Sequence, residues 1–275
     1  MAERRAWVDS EYLAGEITDY LVRVTTHSDW LRTLMYGDEP LRREFWFNTK
    51  NWAEWLNTDP PARAKVKKPL DPRMSRISTT LVHDLDGWIS RSKLRELAMV
   101  VAQPNLSGSA LNDACLRLWV STRIWGGGSS DGRVPWNTRN SLCAANLVEQ
   151  LTSSREAFLR GKAFVLPDVS GADLPYTSKW LWALGTTQRG WTPEGPQAYI
   201  LDQRVRTTLG WLAAYKINSD AKSPVSTPTG NSSYAAYCQI LEEAAVISKV
   251  DAEKIEWILF SGADGEYPSF LSQLG

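Results

Sequence analysis

Lys179 and Asp202 are the two residues of this 275-residue chain whose types and neighbours most suggest chemistry. Lys179 follows Leu174-Pro175-Tyr176-Thr177-Ser178 and precedes Trp180-Leu181-Trp182-Ala183. A helix is predicted over 177–185, which puts the lysine in its first turn. There the macrodipole favours anions and disfavours cations. Hemmed by Trp180 and Trp182, the side chain is expected to hold its proton less tightly. A neutral amine is a nucleophile suited to Schiff-base chemistry. Asp202 closes the run Pro196-Gln197-Ala198-Tyr199-Ile200-Leu201 and is predicted to cap the next helix. Two successive helices can bring such a lysine and aspartate to one pocket. Taken singly, each also has an ordinary reading, the lysine as a solvated charge and the aspartate as a cap.

The elements that must carry these residues are helical, because long stretches show a period near 3.6 and few alternate strictly. Ser10 is predicted to start a helix running to about residue 24, with Ile17, Tyr20 and Leu21 on its apolar face. Another is predicted over 40–56, carrying Phe45, Trp52 and Trp55. The segment 59–76 holds four prolines with Arg63, Lys65, Lys67, Lys68, Arg73 and Arg76 and reads as a connector. That basic cluster is either a solvated linker or a loop that contacts phosphates. Further helices are predicted over 92–102, 108–124, 138–160, 202–215, 232–247 and 251–261, with loops at 126–130 and 219–232. The expected fold class is all-α, with two helical subdomains and a cleft between them. One unit of 1–275 is expected, with an N-terminal helical part at 1–75 and a catalytic part at 77–275.

Composition excludes several classes of function. No stretch is apolar for long enough to span a bilayer, and no apolar run follows the first five residues, so a cytoplasmic protein without membrane contact is expected. The cysteines, Cys115, Cys143 and Cys238, are three and far apart, which fits reduced thiols and cannot supply four ligands to an iron–sulfur cluster. His83-Asp84 offers too little for a metal site, since His27 is the only other histidine. No metal and no other cofactor is expected. The glycines at 126–128 lack the Gly-Lys-Ser/Thr of a phosphate-binding P-loop. Lys and Arg number 31, as do Asp and Glu, which argues mildly against tight nonspecific binding to nucleic acid. Fourteen tryptophans suit either a large core or aromatic walls around a ligand.

The pairs Leu174-Pro175 and Ser178-Lys179, with Pro196-Gln197-Ala198 ending four residues later at Asp202, resemble the core motif of the helix-hairpin-helix DNA glycosylases. The likeness is to the 8-oxoguanine DNA glycosylase branch and covers roughly residues 174–206. It implies that Lys179 attacks the sugar C1′ and that Asp202 stabilises the positive charge that develops as the base departs. Tyr176-Thr177-Ser178 stands where the family hairpin carries two glycines, so the hairpin is degenerate. Phosphate contacts are then expected from Thr177, Ser178 and the amides of 177–179, with Arg204 and Arg206. Trp125-Gly126 with Arg133 resembles a Trp-Gly feature of bacterial members.

The partner implied is double-stranded DNA containing a modified base, bound by a monomer. Relatives that bind 8-oxoguanine carry a cysteine one turn beyond the lysine, where this chain has Ala183. Trp182, Ala183 and Thr186 are therefore expected to line the base pocket, Trp182 as a stacking surface. The base is either an oxidised purine or a bulky hypermodified one, such as glucosylated hydroxymethylcytosine met in anti-phage defence. AP-lyase strand cleavage would accompany an imine at Lys179. Asn137 and Arg139 are candidates to fill the gap left by a flipped base, or else a helix cap and a surface charge. The rival from another class is a non-catalytic DNA-binding module of the same fold.

Overall fold

The computed structural model describes residues 10–27, 44–57, 70–127, 133–161, 164–187, 197–217 and 230–261. Among them are eleven helices and one two-stranded sheet, so the chain is predominantly helical. The basic residues Arg63, Lys65, Lys67 and Lys68 lie outside the described residues, as do Gly128, Gln188 and Pro196. Contacts divide the chain into two compact units, 42–195 and a second made of 1–41 with 196–275.

The 42–195 unit is built around one long helix. In chain order it holds strand β1 (Glu44–Trp46), then helices that we number α2 (Thr49–Asn57) and α3 (Pro72–Asp84) after α1 of the other unit. Strand β2 (Trp88–Ser90), α4 (Arg91–Val101), α5 (Gly108–Gly127), α6 (Arg133–Leu142), α7 (Leu147–Leu159) and α8 (Leu174–Gly185) follow. Every residue of α5 from Leu118 to Trp125 is buried, as expected of a helix surrounded by others. Packed against it are α3, α4, α6, α7, α8 and β2. The strands pair antiparallel, with Phe45 opposite Ile89 and Trp46 opposite Trp88. Phe45 turns inward onto Trp125, ring centroids 5.9 Å apart and nearly perpendicular.

Three predicted elements are corrected here. Within the helix expected over 40–56, the described residues 44–56 form a strand and then α2, two residues apart. The helix expected over 138–160 is two, α6 and α7, separated at 143–146. The described end of the proline-rich connector belongs to α3: Asp71 accepts from the amides of Arg73 (2.9 Å) and Met74 (3.3 Å), and Pro72 opens the helix. Proline in the first turn forfeits an amide that has no intrahelical partner there.

The other unit contains α1 (Ser10–His27), α9 (Gln203–Ile217), α10 (Asn231–Ser248) and α11 (Ala252–Ser261). Helix α10 lies along α1, while α11 packs on α9 and α10. Leu13, Ile17, Leu21, Ile240, Leu241 and Ile255 are fully buried in it. Among the described residues, no helix is long and apolar enough to cross a membrane.

Candidate functional site

Helix α8 starts at Leu174, after Asp173 in an extended conformation, and takes Pro175 into its first turn. Lys179 is consequently its sixth residue and lies in the second turn, not the first. The expected opposition between ammonium and helix dipole does not apply there, since that effect falls off within one turn. What surrounds the side chain is more telling. Lys179 is 4% exposed. Its Nζ donates to the Pro175 carbonyl at 3.1 Å. The same nitrogen lies 5.7 Å from the centroid of the Tyr176 ring and 6.0 Å from that of Trp125, within reach of favourable cation–π attraction. Gly126, near the end of α5, runs alongside: a Cβ built there would stand 3.0 Å from Lys179 Cε.

The earlier helix start also changes the role of the residues before the lysine. The amides of Tyr176 and Thr177 donate to the Asp173 carbonyl, at 2.9 and 3.2 Å. The hydroxyls of Thr177 and Ser178 bond back to Leu174 and Pro175, each at 3.3 Å. Both residues are buried. They serve the first turn of α8, so the Thr177 amide and both hydroxyls are already bonded where phosphate contacts were expected.

Trp182 and Ala183 are fully buried too. The Trp182 ring is stacked on Trp125 at 5.7 Å and 7°, and the Arg91 guanidinium lies 4.9 Å from its centroid. The stacking surface expected of Trp182 is therefore occupied by Trp125 and Arg91. Ala183 is part of the interior and not an open wall. Thr186, half-buried, donates to the Ala183 carbonyl at 2.7 Å.

Sequence reasoning missed Arg123. Its guanidinium lies 3.5 Å from the centroid of the Tyr176 ring and donates to the Gly171 carbonyl (3.2 Å) and to Thr138 Oγ1 (3.3 Å). Burial pulls its pKa down to about 10, against the opposing influence of Tyr176 and Asp173, so it remains a cation at neutral pH. Arg123 thus fixes Tyr176, whose ring also borders Lys179. The available signal was the single charged residue within 118–125, Leu-Trp-Val-Ser-Thr-Arg-Ile-Trp. Arg139 is likewise no surface charge. It is 3% exposed and donates to the carbonyls of Leu56 (3.1 Å) and Trp55 (3.4 Å), at the end of α2. Asn137 is half-buried within α6, which begins at Arg133, so it is not that helix's cap.

In the other unit, Asp202 is 9% exposed and its Oδ1 accepts from the amides of Arg204 (3.0 Å) and Val205 (3.1 Å). This is the N-cap geometry expected from the sequence. The buried stretch 198–201 that leads to it is held from α10 and α11. Tyr234 Oη donates to the Tyr199 carbonyl at 2.7 Å and Tyr237 Oη to that of Ile200 at 2.8 Å. Buried Glu256 accepts from the Ile200 amide at 3.4 Å, and Tyr199 Oη bonds Glu242. Burial raises the Tyr237 phenol well above its ordinary pKa, with Glu256, Cys238 and Asp202 adding to the shift. The Arg204 guanidinium lies 4.3 Å over the Phe260 ring. Arg206, half-buried, donates its amide to the Asp202 carbonyl at 2.9 Å.

Among the described residues, no group of three or more His, Cys, Asp or Glu could hold a metal ion. The family described as "Putative 8-oxoguanine DNA glycosylase OGG-like protein" matches residues 38–260 of the chain. No curated protein and no solved structure matches it.

Proposed function

Because the chain belongs to the OGG-like family of 8-oxoguanine DNA glycosylases, we propose that it excises an oxidised purine, 8-oxoguanine, from double-stranded DNA with Lys179 as nucleophile. The observation that carries this reading is a lysine only 4% exposed, its amine bonded to the Pro175 carbonyl beside Tyr176 and Trp125. Lysine is almost never buried so far without a specific partner or task.

In its neutral form, the amine directs its lone pair at C1′ and forms an N–C1′ bond. The glycosidic C1′–N bond breaks, its electron pair leaves with the base, and the base takes up a proton. The attached nitrogen gives up a proton, its lone pair then expels O4′, which takes up a proton, and the sugar opens to a protonated imine. Loss of a C2′ proton then expels the 3′ phosphate, which is the associated AP-lyase step. Asp202, fixed by its two cap bonds, supplies a preorganised negative charge for the positive charge that develops on the sugar. Each role rests on its own unit.

A bulky, sugar-bearing base such as glucosylated hydroxymethylcytosine was the alternative suggested by a small residue at position 183. Full enclosure of Ala183 removes that support, and the family description favours the oxidised purine. A binding module without chemistry would have no use for an amine buried in this way.

The test is borohydride reduction during incubation with an 8-oxoguanine duplex. Wild type is expected to leave a covalent protein–DNA adduct, and Lys179→Gln none. Base release without an adduct would make the enzyme monofunctional and demote Lys179. Neither release nor adduct, with release from a glucosylated duplex instead, would overturn the substrate.

A further inference from the structure

Helix α5 ends on Trp125-Gly126-Gly127, although glycine is the poorest helix former after proline. At Gly126 the backbone does not demand it, because its φ lies outside the left-handed range. Space does. An added Cβ would stand 3.0 Å from Lys179 Cε, 3.1 Å from Cδ and 3.4 Å from Nζ, closer than side-chain atoms ordinarily pack. The lysine would have to give way along the very part of its chain that carries the amine.

Gly126 is itself exposed, whereas Lys179 is not. The Pro175 carbonyl and the Tyr176 and Trp125 rings also lie near Nζ. We propose that Gly126 is a positioning residue for Lys179, its missing side chain forming the opening through which an electrophilic carbon reaches the amine. This rests on the reading of Lys179 as a nucleophile, yet the opening can be tested without DNA.

The probe is formaldehyde with cyanoborohydride, applied to the full chain. The neutral amine adds to the aldehyde carbon, water leaves, and hydride from cyanoborohydride reduces the imine to a methylamine. Methylation at Lys179 is read by peptide mass spectrometry against exposed Lys50 as internal standard. Wild-type Lys179 is expected to label. Gly126→Ala should slow its labelling several-fold and Gly126→Leu at least tenfold, as an ångström of misplacement can cost about 100-fold in rate. Melting of the alanine variant should change little, because the better helix propensity of alanine offsets the cost of displacing the lysine. A glycine that mattered only to packing would give the opposite pattern, with lower melting and faster labelling.

Borohydride trapping on an abasic-site duplex should fall in the same order as labelling. If labelling falls with side-chain size while wild type traps no DNA, the opening stands and the nucleophile reading fails. Should wild type trap, with both variants trapping and labelling at its rate, the nucleophile stands and the opening is overturned. Lack of any labelling at wild-type Lys179 would overturn it as well. Where Gly126→Leu does not fold, Gly126→Ala alone decides, and an unchanged rate refutes the proposal.

Discussion

Replacing Asp202 by asparagine and by alanine separates what the side chain does for the fold from what its charge does for the reaction. Its Oδ1 accepts from the amides of Arg204 and Val205 at 3.0 and 3.1 Å. Asparagine presents an equivalent oxygen and ranks with aspartate as an N-cap, so it removes the charge and keeps both bonds. Alanine removes charge and bonds together. Loss of a cap costs about 1 kcal/mol, which in a chain of this size lowers Tm by about 2–4 °C. Asp202→Asn should fall by less, since only the favourable meeting of carboxylate and helix dipole is lost.

Catalysis should follow the charge and not the cap. Both variants should slow single-turnover base release by about 100-fold to 1,000-fold, the scale of losing one preorganised electrostatic partner. DNA affinity should stay within a few-fold, because the charge that Asp202 opposes exists only in the transition state. Thermal melting, duplex titration and single-turnover excision measure the three quantities. If Asp202→Asn melts, binds and excises like wild type, the aspartate is a cap and nothing more.

Tyr237→Phe deletes the hydroxyl that donates to the Ile200 carbonyl. It should cost about 1 kcal/mol in urea unfolding and reduce base release by loosening the approach to Asp202; unchanged values of both would refute that positioning role. Cys143, half-buried, should be alkylated by iodoacetamide in the native protein. Cys115 and Cys238 should react only after unfolding, because burial pushes both thiols up to about 12. Those two thiols and the phenols of Tyr234 and Tyr237 all hold their protons harder in the folded chain, with burial as the first cause. A raised pKa of this kind adds stability below the unfolded value and loses it as pH climbs through the folded one. Urea unfolding should therefore show stability declining from about pH 9 upward, and a flat profile there would contradict the burial of these groups.

Most helices were legible because their apolar faces recur at helical spacing, and 91–101, 108–127 and 231–248 lie within a few residues of expectation. Misreadings trace to particular chemistry. Prolines drew a connector across Asp71-Pro72, although proline just inside a capped start is a helix signal. Helix 138–160 ran on because the break at 143–146 holds neither glycine nor proline. Lys179 lies a turn later in its helix than expected because that helix starts at Leu174-Pro175, ahead of the apolar run. The cap at Asp202 could be read locally, from an aspartate before a periodic segment. What holds that segment could not, since Tyr234, Tyr237 and Glu256 arrive from far along the chain. No local pattern announces such partners.

The balance of 31 basic and 31 acidic residues argues mildly against tight nonspecific binding to nucleic acid, yet that total mixes charges that DNA can meet with charges folded away. Among the described residues of the 42–195 unit, the buried ionic side chains are all cations: Arg91, Arg123, Arg139, Arg155 and Lys179. In the other unit they are all acids: Asp202, Glu253 and Glu256. Arg139 donates to carbonyls at the end of α2. Arg155 does the same at the end of α4, at 2.6 Å from both Val101 and Gln103. There the helix dipole favours a cation, and the donors satisfy carbonyls that the helix leaves over. Arg123 ties a loop and a helix start together. The bond from Lys179 to Pro175 stays within one helix, while Trp125 of α5 borders the same amine at 6.0 Å. Lysine ordinarily keeps its stem against the protein and its amine in water. An amine buried this far is the one that the proposed attack on a sugar carbon uses, and only the surface charges bear on how the phosphates are met.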